Sequence, residues 1–512
     1  MTRLPPDIMG LQHQSTKIDN RPPPSEDEAS RRLARLEKLA EKFGDPYRTV
    51  TFDRTHAAAE VKKQFADLKP GDKTDKTVHV AGRIMAIRND GMFIDILDDS
   101  DRLQVFNDTK HAKPERKELL KLLDLGDIIG VKGLVRRTPR GEITVDAAEI
   151  QLLAKALEPP PEKFHGLKDV DHRFRRREQD LVATPRTREV LRARYKMVAA
   201  IRRFLDDKGF IEAETPVLQT LAGGALAKPF VTHHNALDIP LYLRIATELH
   251  LKRLVIGGLS DKVYEIGRLF RNEGLSPRHN PEFTTIELYQ AYVDFTAMIE
   301  MTEAIIQHVA MTLHGTTKIK FADVELDFTP PFPRKSMLDL VKEHAGLDLG
   351  AIADPEQARA AAAKIGVATE PGTSWGQVVE AVFGEKVEDK LIQPIHVIDL
   401  PKEISPLAKA WPDRPHVAQR FETYVNGWEI ANAFSELNDP REQRARFLEQ
   451  AEQKRKPDEP PHPIDEEFLT AMAFGMPPMG GLGIGLDRLG MLMTDSQSIR
   501  EVIAFPTMKP LD

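Results

Sequence analysis

Arg271, Glu273, Phe283, Glu287 and Tyr289 are the residues of this chain best spaced to do chemistry together. They lie in and after Phe270-Arg271-Asn272-Glu273 and His279-Asn280-Pro281-Glu282-Phe283-Thr284, which read as two short strands joined by a polar loop. Side chains alternate faces along a strand. Arg271 and Glu273 are therefore expected on one face of the first strand, and Phe283, Glu287 and Tyr289 on one face of the second. A cation, groups that grip amines or ribose hydroxyls and a flat ring suit an anionic, adenine-bearing substrate together with a charged amine.

A second set is Glu422, Glu429 and Glu436, spaced by seven. On one continuous strand that odd spacing sends neighbours to opposite faces. Asn426-Gly427 intervenes, however, and this dipeptide is a strong hairpin signal. A two-residue turn sets Tyr424 opposite Glu429 and puts Glu422 and Glu429 on one surface. Crowded carboxylates repel unless a cation lies between them, and Mg²⁺ bridging a nucleotide's phosphates takes one or two carboxylates. Asn432, Phe434 and Glu436 alternate in step with one another but out of phase with Glu429. A bulge near Ala431 is expected to reset the register. A third set is Gly481-Leu482-Gly483-Ile484-Gly485-Leu486-Asp487-Arg488. Its glycines bare one strand face where something flat must approach, and Arg488 follows at a helix start. No Gly-Lys-Ser/Thr follows, so this is not a Walker A loop.

The elements that must position these residues fall into more than one domain in a chain of 512 residues. Residues 1–25 are polar, Pro-rich and expected to be disordered. Residues 26–76 form a helical extension with a Lys/Asp-rich loop at Lys69–Lys76. Residues 77–155 carry short alternating strands and one helical run near Lys113–Leu123, the pattern of an OB-type β-barrel. Its core is expected to hold Met92, Ile94, Leu103 and Val105, with Phe93 and Gln104 pointing away. Residues 156–186 are a linker. Residues 187–512 form an α+β domain on an antiparallel sheet, opening with a helix over Thr187–Lys208. The apolar stripe of that helix is Val190, Leu191, Tyr195, Val198, Ile201, Phe204 and Leu205. Residues of about 310–395 read as a helical insertion. Cys is absent, which excludes disulfides and thiolate metal sites and fits a cytoplasmic chain. Net charge is −7, with 38 Lys+Arg against 33 Asp+Glu in residues 1–195 and 34 against 46 in the rest. A basic N-terminal third on an acidic body suggests a polyanion contact there.

Together the three sets resemble the class II aminoacyl-tRNA synthetases, specifically the bacterial-type lysyl-tRNA synthetases. Phe270 to Tyr289 resembles motif 2, Gly481 to Arg488 motif 3, and the helix before Gly209 with Pro216 motif 1. The stretches His233-His234-Asn235-Ala236-Leu237-Asp238 and Phe434-Ser435-Glu436-Leu437-Asn438-Asp439 resemble the lysine enzymes closely. The resemblance implies an ATP-dependent lysine–tRNA ligase, a homodimer through the 187–218 helix and strand, with Mg²⁺. Arg271 and Arg488 would be catalytic. Glu273, His279, Asn280, Phe283, Gly483 and Gly485 would bind ATP with them, and Glu422 and Glu429 the metal. Lysine would meet Gly223, Glu248, Arg271, Glu287, Tyr289, Asn432, Phe434 and Glu436. Arg83, Phe93 and Gln104 would read the anticodon of tRNA(Lys). Ala431 and Ala433 stand where bacterial relatives carry glycines and would add methyls beside the pocket.

Three rival readings remain at this stage. An aspartyl- or asparaginyl-tRNA synthetase shares the architecture, but an acidic substrate would want a cation where Glu436 stands. A ligase that lysylates a protein would lack the barrel. A catalytically silent RNA-binding or regulatory paralogue has no need of Arg271, Glu422, Glu429 and Arg488.

Overall fold

The computed structural model describes residues 26–160, 169–221, 223–224, 227–452 and 464–511. The stretch 1–25, expected to be a disordered tail, and part of the expected linker lie outside the described residues. The chain divides into two compact units. The first takes the described residues of Met1–Arg173, Glu178–Ala183 and Lys509–Asp512; the second takes Phe174–Arg177 and Thr184–Met508.

In the first unit β1 (Lys73–Arg88), β2 (Phe93–Leu97), β3 (Arg102–Phe106), β4 (Ile128–Arg137) and β5 (Ile143–Ala154) close into a barrel of order β1-β2-β3-β5-β4. Closure leaves no free sheet edge. Val80, Ile94, Leu103, Val105, Val131 and Val145 fill the interior. Two sequence expectations are corrected. The Lys69–Lys76 loop is already strand from Lys73, where pairing with Arg136 on β4 satisfies a polar backbone that no apolar pattern announces. Met92 is half-buried rather than core, because it ends the Asn89–Met92 turn one residue before β2 begins.

In the second unit an eight-stranded sheet is built from β6 (Ile211–Glu212), β7 (Lys262–Phe270), β8 (Glu282–Ala291), β9 (Arg334–Ser336), β10 (Ile395–Ile398), β11 (Arg420–Val425), β12 (Trp428–Ser435) and β13 (Met479–Gly485). The order is β9-β10-β11-β12-β13-β8-β7-β6. Only the edge pairs β6–β7 and β9–β10 are parallel. The strict alternation of β13 decides its two faces. Leu482 and Ile484 join Ile286, Leu288, Phe421, Ala431 and Ala433 in a dry core covered by helices Pro185–Asp207, Phe295–His314 and Leu486–Met493. Ala431 and Ala433 thus point their methyls into this core, away from Asn432 and Phe434. Their expected crowding of the pocket is corrected.

Asn426 and Gly427 both take positive φ, 53° and 67°, as a two-residue type I′ turn requires. Tyr424 pairs with Glu429, but Thr423 pairs with Ala431. Ile430 is the extra residue, so the bulge lies one position before Ala431. It brings Asn432 opposite Glu422 and Phe434 opposite Arg420. The Pro185–Asp207 helix buries Val190, Leu191, Ile201 and Leu205, but Tyr195 is 54% exposed, which removes it from the internal stripe. The stretch 310–395 is not uniformly helical. It holds a hairpin (Lys318–Phe321 with Val324–Asp327), strand β9 and three α-helices around a small core of Val378, Val379, Val382 and Phe383.

Candidate active site

The face of the sheet opposite the core opens into a cavity of about 450 Å³. Its floor is β8, β12 and β13. Its walls are the loop 271–281, the start of helix Glu248–Ile256 and, from the 310–395 stretch, Glu380. Gly223, Glu248, Arg271, Glu273, His279, Asn280, Phe283, Glu287, Tyr289, Glu429, Asn432, Phe434, Glu436, Gly483, Gly485 and Arg488 all line it. Glu422 does not. Arg271 and Glu273 do not share a strand face, because β7 ends at Phe270. The ladder stops at the Phe270–Glu282 pair, and the chain turns away with Arg271 N donating to the Pro281 carbonyl at 2.9 Å.

One end of the cavity is cationic. The Arg271 guanidinium lies 5.2 Å from the Phe283 ring centre, and its buried Nε has no hydrogen-bond partner. Arg488 donates from Nη1 to the Glu429 carbonyl at 2.8 Å and from Nη2 to His279 Nε2 at 3.0 Å. Burial and the Arg488 charge hold His279 below its ordinary range, so it is neutral. Because Nε2 accepts, the ring proton sits on Nδ1, 2.8 Å from Ser276 Oγ. Asn280 donates to the Glu282 carbonyl at 2.6 Å and leaves its buried Oδ1 unpaired. A side chain at Gly483 or Gly485 would meet nothing closer than 3.8 Å. These two glycines alone of the three keep a strand face clear for a flat ligand. Asp487 anchors the floor. One oxygen pairs with Arg194 at 2.6 Å and the other accepts from Thr284 N at 2.7 Å.

Beside this end Glu422 and Glu429 sit across the hairpin. Glu422 accepts from Arg420 Nη2 at 2.7 Å and from Tyr424 OH at 2.8 Å. Burial pushes it up to about 7, Arg420 opposes that, and Glu429 and Glu380 add to it. Glu422 is largely buried and pairs with Arg420, while Glu429 is part-exposed with Arg488 Nη1 3.6 Å from its carboxylate. The two carboxylates form an all-oxygen donor set, which fits a hard cation sharing its ligands with phosphate. No cluster of three or more metal-ligating side chains occurs among the described residues. Arg420 and Glu380 were not anticipated from sequence. Nothing in their local spacing differs from that of surface charges.

The other end is acidic and apolar by turns. Phe434 and Tyr289 flank Glu436, which is 1% exposed. Glu287 accepts from Thr247 N and from Tyr289 OH, both at 3.3 Å. Burial and the Glu248 charge raise it above the usual carboxylate range. Asn432 accepts from Arg420 Nε at 3.0 Å. Gly481 is bare for a reason other than nucleotide approach: a Cβ there would overlap Glu436 Oε1 and the Tyr289 ring. Gly481→Ala must therefore displace Glu436. We expect it to raise the KM for the ligand of this acidic end at least about tenfold with the KM for the ligand of the cationic end unchanged, measured by steady-state kinetics. An equal rise in both constants would refute this assignment.

In the barrel the Phe93 and Phe106 ring centres lie 5.3 Å apart at a 57° tilt, with the Arg136 guanidinium 3.9 Å from the Phe106 ring. Gln104 lies on the same half-buried face and accepts from Thr144 Oγ1 at 3.0 Å. Arg83 stands opposite Leu97, four residues along β2 from Phe93, or about 13 Å. It donates to the Gly126 carbonyl at 2.8 Å. Phe93 and Gln104 are thus brought together and Arg83 is not.

Residues 169–509 match the family model of class II tRNA synthetases (D, K and N), and residues 78–153 match that of the OB-fold nucleic acid binding domain. The lysine–tRNA ligase of Sinorhizobium medicae is 51% identical over 95% of this chain and 97% of its own. That of Pelotomaculum thermopropionicum is 51% identical over 94% of each. That of Thermoanaerobacter pseudethanolicus is 50% identical over 91% of this chain and 93% of its own. The chain belongs to the class II lysyl-tRNA synthetases.

Proposed function

We propose that this enzyme activates lysine with ATP and transfers it to the terminal adenosine of tRNA(Lys). The observation that carries the reading is Glu436, buried at the end of an aromatic-walled slot that opens on Arg271 and Arg488. A long ammonium ends on the Oε1 side of that carboxylate, and an uncharged analogue leaves that oxygen without a partner. The α-amine meets Glu248 and the loop at Gly223, with Glu287 beside it, and Asn432 receives the carboxylate.

The lysine carboxylate attacks the α-phosphorus, and the bond to the β-phosphate oxygen breaks, giving lysyl-adenylate and pyrophosphate. The adenosine hydroxyl of tRNA then attacks the carbonyl, loses its proton and releases AMP. No protein nucleophile is required. Arg271 holds the α-phosphate and the attacking carboxylate in line, and Arg488 spreads its charge over the nucleotide. Phe283 stacks on the adenine with Arg488 on its other side, over the clear backbone of Gly483 and Gly485, with Glu273, His279 and Asn280 at the nucleotide's edge. Glu422 and Glu429 would hold Mg²⁺, which when bound neutralises phosphate charge.

In the barrel, Phe93 supplies a stacking surface and Gln104 an amide for a base edge of the anticodon. Arg83, held by Gly126 at the far end of that face, is the least suited of the three to touch the same base. Phe93→Ala is expected to lower tRNA charging at least about tenfold, since a lost stack is worth about 1–3 kcal/mol per base. Lysine-dependent ATP–pyrophosphate exchange should remain at the wild-type rate. Loss of both activities together would count against a separate anticodon module.

Tyr195, Ile211, Val217 and Leu218 are exposed apolar residues on the Pro185–Asp207 helix and the segment after it, which supports a homodimer through residues 187–218. No helix among the described residues is long and apolar enough to cross a membrane. The cytoplasm, where translation runs, is the proposed location. Pyrophosphate exchange measured across the amino acids tests the whole reading. Exchange driven by aspartate or asparagine, or by no amino acid, would overturn it.

A further inference from the structure

Lys252 stands one helical turn after Glu248, is fully buried and does not line the cavity. Its Nζ donates to Glu248 Oε1 and forms an ion pair with Glu436 Oε2. It lies 5.5–5.8 Å from the ring centres of Phe434, Tyr289 and Phe468. An ammonium of the protein's own thus sits behind the two carboxylates that the cavity presents from the front. We propose that Lys252 is a positioning residue for the amino acid substrate: it holds Glu248 and Glu436 from behind the slot and leaves one Glu436 oxygen for the substrate's side-chain ammonium. The proposal rests on the reading of Glu436 as the end of the lysine slot.

The geometry supports a counter-ion rather than an occupant. Glu436 Oε1 faces the bare Gly481, while Lys252 approaches Oε2. Oε2 is held by Lys252, while Oε1 has no hydrogen-bond partner within the protein, so the carboxylate is held but only half satisfied. Across the group, Glu248 and Glu287 face Glu436 with like charge, Tyr289 faces it with a neutral hydroxyl, and Lys252 supplies the opposing charge. Three carboxylates this close cannot all stay ionised without a cation, and a buried carboxyl that loses its partner takes up a proton. Burial pushes Glu436 well above the carboxylate range, Lys252 opposes that shift, and Glu248 and Glu287 add to it. Deleting the Lys252 charge leaves a neutral acid, to which an ammonium binds poorly.

The test uses Lys252→Met and Glu436→Gln in the full chain, with KM for lysine and for ATP taken from pyrophosphate exchange between pH 6 and pH 9. For Lys252→Met we expect the lysine KM to rise at least thirtyfold at pH 7 and to recover at least tenfold towards pH 9. Its ATP KM should stay within about threefold of wild type. Lys252→Arg, which keeps the charge, should retain the wild-type pH profile. Should Lys252→Met not fold, Lys252→Gln carries the same readout, since its amide can still donate to the carboxylates. An unchanged or lowered lysine KM, or a raised one without pH dependence, overturns the proposal. Glu436→Gln separates the two layers: it should raise the lysine KM at every pH, and an unaltered KM there removes the slot reading itself.

Discussion

Arg271→Ala is expected to lower lysine-dependent pyrophosphate exchange by at least about a thousandfold while leaving the melting temperature within about 2 °C. The guanidinium is aimed into the cavity from the loop after β7. It touches the Phe283 ring, and its buried Nε is unpaired. Little of the fold depends on it, so its loss removes few folded-state contacts. In the proposed reaction it would face charge that moves from the carboxylate to the α-phosphate oxygens. A preorganised cation at such a position contributes roughly 10³–10⁵ in rate where it has been removed from phosphoryl-transfer sites. Measurement of single-turnover adenylate formation, with thermal unfolding as the control, checks both halves. Retained exchange would mean that another group carries the α-phosphate, with Arg488 next in reach.

Glu436→Gln has the second-largest expected effect. The amide keeps the size of the side chain, the Phe434 and Tyr289 walls and the contact with Gly481, but not the charge. Truncating one partner of a buried charge pair costs about 2–5 kcal/mol, which is a thirtyfold to several-thousandfold change in affinity. The lysine KM should rise by that factor, and uncharged analogues of lysine should become comparatively better inhibitors. The ATP KM should not move, because the nucleotide end is held by different residues of these strands. Isothermal titration with lysine alone gives the same comparison without turnover. An equal loss of lysine and nucleotide affinity would show a collapsed cavity instead of a lost charge.

Much of this cavity was legible before any coordinates because its residues lie on strands whose period is short and strict. Phe283, Glu287 and Tyr289 alternate along β8, and Asn432 and Phe434 along β12 with Glu436 just past its end, so position in the chain sets the face. The Asn426-Gly427 turn is equally local, since few residue pairs accept positive φ twice in succession. The bulge expected near Ala431 lies at Ile430; alternation signals that a register must shift but not which residue is squeezed out. Arg271 and Glu273 were misplaced on a strand because the end of a ladder depends on the partner strand, which a single segment does not contain.

What sequence by itself determined is the set of local faces and turns: bare glycines at 483 and 485, a hairpin carrying carboxylates, a ring and a cation at the ends of β8 and β7. What only the tertiary structure decided is which charges those faces meet. Lys252 sits on a helix with the spacing of any solvated lysine, yet it is buried between Glu248 and Glu436. Glu380 reaches the cavity from a stretch without a motif. Gly481 is small for the sake of Glu436 rather than for a nucleotide. Periodicity records the direction of a side chain relative to its own backbone. Electrostatic pairing depends on distances between elements far apart in the chain, and those exist only once the sheet and its helices have packed.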